Sequence, residues 1–61
     1  MILIKDNHID FAGGVSQAIT KVEKYLIEKK LTLPIEVEAR NIENVKEILQ
    51  FDSVFRIMLD N

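Results

Sequence analysis

The stretch at residues 35–39, which reads IEVEA, decides the fold because its polarity alternates at every residue. In an extended strand, the first, third and fifth of these residues point to one face, whereas Glu36 and Glu38 point to the other. A parallel strand that helices cover on both faces is instead a continuous apolar run. The alternation therefore predicts a strand that is covered by helices on one face only.

Upstream of this strand, the pattern predicts another strand, a loop and a helix. Residues 2–4 read ILI and end at Lys5, which is typical of a short buried strand. Residues 6–14 are expected to form a loop, in which Gly13-Gly14 turns the chain into the helix. From residue 15 the apolar residues follow the i, i+3, i+4, i+7 spacing of one helix face. The predicted members of this face are Val15, Ala18, Ile19, Val22, Tyr25 and Leu26.

Downstream of the central strand, the sequence predicts a second helix and a third strand. Asn41 is a favourable N-cap for the helix, and Ile42, Val45 and Leu49 are expected to form its buried face. Residues 54–59 predict the third strand. The order β-α-β-α-β implies parallel strands that are joined by right-handed crossovers, so the predicted fold class is α/β.

The second face of the predicted sheet carries charged side chains. Its expected members are Leu3, Lys5, Glu36, Glu38, Val54, Arg56, Met58 and Asp60. Such a face suits the interior of an α/β barrel, in which Glu36 and Arg56 would pair and in which sites lie at the carboxyl ends of the strands. Lys5, Glu38 and Asp60 lie at or near those ends. The same face suits a small two-layer domain in which it is simply solvated, and the pattern alone leaves both interpretations open.

The composition narrows the class of protein. A chain of 61 residues allows one small domain with a thin core. The absence of cysteine excludes disulfides and thiolate metal sites, and it fits a cytoplasmic location. The net charge of −2 argues against a nucleic-acid partner. No apolar run approaches the roughly 20 residues of a membrane helix, and the first residues lack the layout of a signal peptide.

Three blocks of the sequence resemble the quinolinate phosphoribosyltransferases, a family also called nicotinate-nucleotide pyrophosphorylases (carboxylating). The blocks are IKDNHI at residues 4–9, IEVEARNIENVKEIL at residues 35–49 and RIMLDN at residues 56–61. The resemblance implies an open α/β (TIM-like) barrel. Residues 1–61 are then expected to be a partial C-terminal barrel domain, with three strands, two helices and no second domain.

The resemblance also implies an enzyme of NAD biosynthesis. It would join quinolinate to 5-phosphoribosyl 1-diphosphate with Mg²⁺, and its products would be nicotinate mononucleotide, diphosphate and carbon dioxide. The family works at least as a dimer, and uncovered sheet edges favour self-association, strand exchange or poor stability. The chain alone is expected to be inactive, because the family's carboxylate-binding arginines and phosphate-binding loops lie outside it.

Carried over residue by residue, the resemblance assigns Lys5, Glu38 and Asp60 to the substrate-binding site. Lys5 would contact the substrates as a compact positive charge. Glu38 and Asp60 would act as catalytic carboxylates by the ribose of the donor, where they would stabilise positive charge as diphosphate leaves. They would also hold Mg²⁺, directly or through water. His8, the only histidine, is a weaker candidate for substrate contact, and a structural role is its alternative.

Two further interpretations stay open at this point. A sister phosphoribosyltransferase for another pyridine would share these blocks and differ in the arginine segment. A small non-catalytic α/β module would use its sheet for partner contacts and would bind no substrate. The sequence also departs from the family pattern at one place, because the usual Gly-Ser before the first helix is Gly13-Gly14 here, with Ser16 two positions later.

Overall fold

The computed structural model contains three parallel strands and three helices within the described part of the chain, which is residues 1–59 apart from the side chain of Asp6. The elements are β1 (Ile2–Ile4), α1 (Asp6–Ala12), α2 (Val15–Lys29), β2 (Ile35–Ala39), α3 (Ile42–Ile48) and β3 (Val54–Leu59). The strand order is β1-β2-β3, and both neighbouring pairs are parallel. The α/β class and the bounds of the three predicted strands are confirmed.

The core lies on one face of the sheet, between the strands and the helices. Its members are Ile4, Ile9, Val15, Ala18, Ile19, Ile35, Val37, Ala39 and Ile48. The β2 members are the apolar positions of the alternating pattern, and all three helices contribute to the rest. Burying one large aliphatic side chain contributes about 1.5–3 kcal/mol. This helix-covered face therefore supplies most of the stabilisation of the fold.

A short helix, α1, replaces the loop that the sequence analysis expects at residues 6–14. Ile9 and Ala12 are three residues apart, which places them on one side of a helix, and both contact the core. Gly13 ends the helix in the left-handed conformation (φ 96°), which glycine adopts without steric cost. The N–H groups of Gly13 and Gly14 both donate to the carbonyl of Ile9, at 3.1 and 3.0 Å. The two glycines thus form the expected turn, but they form it as the end of a helix.

The longest helix, α2, buries most of the face that its spacing predicts. The first three members of that face are buried, and Val22 and Leu26 pack against the core. Tyr25 is the exception, because it is 49% exposed. The helix has 15 residues, and no helix within residues 1–59 is long and apolar enough to cross a membrane.

The helix α3 turns a different face to the core from the one that the sequence analysis expects. Asn41 caps it as predicted, because its Oδ1 accepts a backbone N–H of the first turn at 2.9 Å. Ile48 is fully buried and Val45 packs against the core, whereas Ile42 and Leu49 are 64% and 68% exposed. The expected face was wrong at those two positions. The helix has seven residues, so the i, i+3 pair formed by Val45 and Ile48 is enough to cover the sheet.

An irregularity in β3 moves Val54 to the helix-covered face. Val54 pairs with Ile35 and Arg56 pairs with Glu36, so Phe55 has no partner position on β2. One extra residue in a strand, which has no partner on the neighbouring strand, makes a β-bulge. As a result Val54 packs against the core, and the expectation that it shares a face with Arg56 was wrong.

Candidate functional site

The face of the sheet opposite the helices carries the charged side chains, and strand pairing arranges them in two rows. The first row consists of Leu3, Glu36 and Arg56, which are paired. The second row, nearer the carboxyl ends, consists of the paired residues Glu38 and Met58 and of Lys5, which directly follows β1. We call these six residues the open face. Sites in sheets of parallel strands form at the carboxyl ends of the strands. The second row is therefore the better placed of the two for binding a ligand.

Extending the register of β1 and β2 by one residue places Lys5 level with Glu38. Ile4 is the last residue of β1 and pairs with Val37. Lys5 continues β1 in an extended conformation (φ −104°, ψ 172°), so its side chain returns to the face of Glu38. Lys5 is exposed and Glu38 is half-buried. Neither forms an ion pair with another residue in the described part of the chain.

The first row of the open face contains a buried carboxylate with its counter-ion. The side chain of Glu36 is 6% exposed, and its Oε1 lies 3.0 Å from Nη1 of Arg56. The Arg56 side chain is 61% exposed, and its Cζ lies 5.6 Å from the centre of the Phe55 ring. A buried carboxylate without a partner is costly, so Arg56 stabilises the charge of Glu36. The predicted pairing of these two residues is confirmed.

His8 lies in the first turn of α1, where it bonds to the backbone. Its Nδ1 accepts the N–H of Lys5 at 3.1 Å. Because Nδ1 is the acceptor, the neutral ring carries its proton on Nε2. This geometry favours the structural alternative for His8, and substrate contact by its ring stays a prediction.

An ion pair that the sequence analysis missed holds α1 to the end of β2. Arg40 directly follows β2, and its Nη2 lies 3.0 Å from Oδ2 of Asp10 in α1. The N–H of Arg40 also donates to Oδ1 of Asn44, at 3.1 Å. The two charged residues are 30 positions apart, so no spacing rule connects them. The pair becomes predictable only once residues 6–12 are recognised as a helix, because that helix places Asp10 near the junction between β2 and α3.

Ser16 lies between the helices and not on the open face. Its hydroxyl donates to Oε2 of Glu47 at 3.0 Å, which joins α2 to α3. A second hydroxyl, that of Ser53 just before β3, donates to Oε2 of Glu23 at 2.6 Å and so links this turn to α2. The serine that departs from the family pattern therefore has a structural partner.

The third predicted site residue, Asp60, lies outside the described residues. Within residues 1–59, no group of three or more His, Asp or Glu side chains is arranged to hold a metal ion. A magnesium site needs no such group, because Mg²⁺ commonly takes one or two carboxylates and completes its shell with water and substrate phosphates. Glu38 fits this requirement, since its carboxylate is half-buried and forms no ion pair in the described chain.

An apolar cleft of about 450 Å³ is lined by residues of β1, α1 and α2. Seven of its lining residues are apolar, and the other two are His8 and Lys21. Phe11, one of the lining residues, is 91% exposed. An apolar cleft suits a hydrophobic side chain better than a highly charged ligand, so we place the candidate site on the open face.

Comparison with known proteins identifies the family. The model of the C-terminal domain of quinolinate phosphoribosyl transferase matches the chain over residues 1–61. The chain belongs to the quinolinate phosphoribosyltransferase family. The resemblance seen in the three sequence blocks is therefore confirmed. No solved structure gives a significant match to the chain.

Relatives in plants and in a cyanobacterium match almost the whole chain. The quinolinate phosphoribosyltransferase (decarboxylating) 2, mitochondrial, of Nicotiana glauca is 50% identical over 66 residues and covers 100% of the chain. The chloroplastic nicotinate-nucleotide pyrophosphorylase (carboxylating) of Oryza sativa subsp. japonica is 47% identical with the same coverage. A probable nicotinate-nucleotide pyrophosphorylase (carboxylating) of Synechocystis sp. is 40% identical and covers 98%. The chain spans 19%, 18% and 19% of these relatives, respectively.

Proposed function

We propose that this chain supplies part of the substrate site of a quinolinate phosphoribosyltransferase. Such an enzyme joins quinolinate to 5-phosphoribosyl 1-diphosphate with Mg²⁺ and releases diphosphate and carbon dioxide as it forms nicotinate mononucleotide. One observation carries the proposal: Lys5 and Glu38 lie level on the open face, at the carboxyl ends of parallel strands. The family model covers both residues.

Lys5 is suited to bind the anionic groups of the two substrates. Quinolinate carries two carboxylates, and the phosphoribosyl donor carries a phosphate and a diphosphate. An ammonium group on a flexible stem is a compact charge that can meet any of these oxygens. Because Lys5 is exposed and forms no ion pair within residues 1–59, its charge is not neutralised by the protein before the substrate arrives.

Glu38 is suited to the other half of the reaction. Loss of diphosphate leaves positive charge on the ribose, and a carboxylate already in place stabilises such charge without reorganising. Two unit charges 4 Å apart interact by about 4 kcal/mol at an effective dielectric constant of 20. Even a partly developed positive charge on the ribose is therefore stabilised appreciably by a nearby carboxylate. Asp60, one residue beyond β3, is proposed to share this role. When Mg²⁺ is bound, it would neutralise phosphate charge, and Glu38 would supply one of its carboxylate oxygens.

We further propose that the open face is part of the interior of an α/β barrel. The interpretation as a solvated face expects charged side chains that extend into water, but Glu36 is 5% exposed. A carboxylate that is buried on the side without helices suits an enclosed polar interior better. Within the described residues, the outer edges of β1 and β3 have no strand partner, which leaves room for further barrel strands on both sides.

Self-association and a cytoplasmic location are also part of the proposal. The chain exposes large apolar side chains such as Phe11, Ile27 and Phe55, which are 91%, 76% and 67% exposed. Surfaces of this kind are commonly interaction sites. The absence of cysteine suits a reducing compartment. The names of the plant relatives place those proteins in the chloroplast or mitochondrion, so cell fractionation is the direct check for this chain.

The test is an amide NMR titration of the chain with quinolinate, and then with 5-phosphoribosyl 1-diphosphate plus Mg²⁺. We expect shifts concentrated at Lys5, Glu38 and Asp60, and we expect Lys5→Ala to abolish them. Lys46→Ala, which removes another exposed lysine, from α3, is the matched control and should leave the shifts intact. Inorganic phosphate serves as the non-specific anion.

Two outcomes would count against the proposal. One is the absence of any shift at saturating ligand, and the other is a pattern that inorganic phosphate reproduces at lysines throughout the chain.

A further inference from the structure

The pairing of β1 with β2 does not by itself fix the position of Lys5. The last residue pair of these strands is Ile4 with Val37, and Lys5 lies one residue beyond it. The backbone of Lys5 is bonded instead to α1. Its N–H donates to Nδ1 of His8 at 3.1 Å, and its carbonyl accepts the N–H of Ile9 at 3.2 Å. The position of Lys5 therefore depends on the position of α1.

The helix α1 is in turn attached to the strand that carries Glu38. Oδ2 of Asp10 lies 3.0 Å from Nη2 of Arg40, which is two residues beyond Glu38. The two side chains are 65% and 42% exposed. An ion pair with this exposure contributes little to folding stability, but it is a direct contact between the two elements. It ties the middle of α1 to the carboxyl end of β2.

We propose that His8 and Asp10 are positioning residues that hold Lys5 at a fixed distance from Glu38. His8 fixes the backbone of Lys5 to the first turn of α1, and Asp10 fixes α1 to the end of β2. This inference rests on the proposed function, because that function makes Lys5 and Glu38 the groups that meet the substrate. Small displacements of such groups cost much of the benefit of orientation.

The first test needs no ligand and compares two variants of His8. In His8→Leu the acceptor for the Lys5 N–H is lost, and we expect amide hydrogen exchange at Lys5 to become about fivefold faster. In His8→Asn the side-chain oxygen takes the place of Nδ1, and exchange should stay close to that of the parent chain. The amide of Val37, which lies in the centre of the sheet, reports whether each variant is folded. Equal exchange at Lys5 in the parent chain and a folded His8→Leu variant would overturn the role of His8.

The second test examines the attachment by Asp10. We expect Asp10→Ala to weaken the nuclear Overhauser contacts between α1 and Arg40 and to broaden the Lys5 amide signal. Glu28→Ala makes the same change of charge at an exposed position on α2 and is the control. Unchanged contacts between α1 and Arg40 in Asp10→Ala would overturn the role of Asp10.

The third test adds 5-phosphoribosyl 1-diphosphate with Mg²⁺ and separates the two proposals. We expect His8→Leu and Asp10→Ala to bind about threefold to tenfold more weakly than the parent chain, and His8→Asn and Glu28→Ala to bind like it. If the parent chain binds and all variants bind equally, the positioning proposal fails and the proposed function stands. If the parent chain does not bind but the ligand-free results are as expected, the proposed function fails and the attachment of Lys5 through α1 stands.

Discussion

The two faces of the sheet differ in what they bury. On the helix-covered face, Ile35, Val37 and Ala39 are at most 1% exposed and belong to the apolar core. On the open face, the same strand contributes Glu36, which is paired with an arginine, and Glu38, which forms no ion pair within residues 1–59. A single strand of five residues thus contributes to the apolar core on one face and to the charged open face on the other.

The difference shows how so short a chain separates stability from function. Burial of aliphatic side chains stabilises the fold in proportion to the area removed from water. Charged groups on the open face gain little stability from folding, and in the proposed function they bind anionic groups of the substrates and stabilise positive charge as it develops on the ribose. Substitutions on the two faces should therefore have separable effects, and four predictions test this separation.

The largest effect on stability is expected from Ile19→Ala. Ile19 is fully buried between α2 and the sheet, and truncating such a side chain costs about 2–5 kcal/mol. A domain of this size rarely has more than about 3–5 kcal/mol of stability. We therefore expect the variant to be largely unfolded by far-UV circular dichroism. Ile27→Ala makes the same change on the same helix at a residue that is 76% exposed, and it should unfold at nearly the parent urea concentration. Equal loss in both variants would contradict the assignment of the core.

A smaller loss is expected from Arg56→Ala on the open face. It leaves the carboxylate of Glu36 buried without a counter-ion, which should cost about 1–3 kcal/mol in urea unfolding. The double variant Glu36→Gln with Arg56→Ala removes the buried charge as well, so it should recover part of that loss. If the single and double variants unfold at the same urea concentration, the ion pair is not what holds Glu36 in place.

The fold could be predicted where the pattern was regular over a whole element. The strict alternation of IEVEA gave the central strand and its two faces, and the capping residue Asn41 gave the start of α3. The helix α1 was missed because only Ile9 and Ala12 of its seven residues form an apolar face. The face of α3 was misassigned because Val45 fits an apolar stripe with either Ile42 or Ile48, and spacing alone does not choose between them.

The candidate site was predictable to the extent that parallel register determines it. Because β1 and β2 run in the same direction, the residues at their carboxyl ends are neighbours, and extending their register by one residue places Lys5 level with Glu38. The bulge at Phe55 was not predictable, since the residues around it are compatible with a regular strand. The ion pair between Asp10 and Arg40 depends on the path of α1, which the local pattern did not reveal.

An intermediate effect on stability is expected from Asn41→Ala, which removes a cap on the helix-covered side. Its Oδ1 accepts the N–H of Asn44 at 2.9 Å, and loss of such a cap costs about 0.5–2 kcal/mol. Asn41→Ser keeps a side-chain oxygen at the cap and should retain most of the stability. The comparison is made by urea unfolding. Equal destabilisation by serine and alanine would show that the cap is not the source of the effect.

The smallest effect on stability is expected from Glu38→Gln, and this variant tests the separation most directly. Glu38 forms no ion pair within residues 1–59, and glutamine has nearly the same shape, so unfolding should change by less than about 0.5 kcal/mol. Binding of 5-phosphoribosyl 1-diphosphate with Mg²⁺ should nevertheless weaken by about tenfold, because a charge-assisted contact is lost.

Glu36→Gln is the matched control for that variant, because it makes the same chemical change two residues earlier on the same face. There the lost charge is the partner of Arg56, so the main effect should be on unfolding, and ligand affinity should change less than in Glu38→Gln. Isothermal titration calorimetry and urea unfolding of the two variants should give opposite rankings. The same ranking in both measurements would mean that the two rows of the open face are not functionally distinct, and that Glu38 contributes to the fold rather than to the ligand.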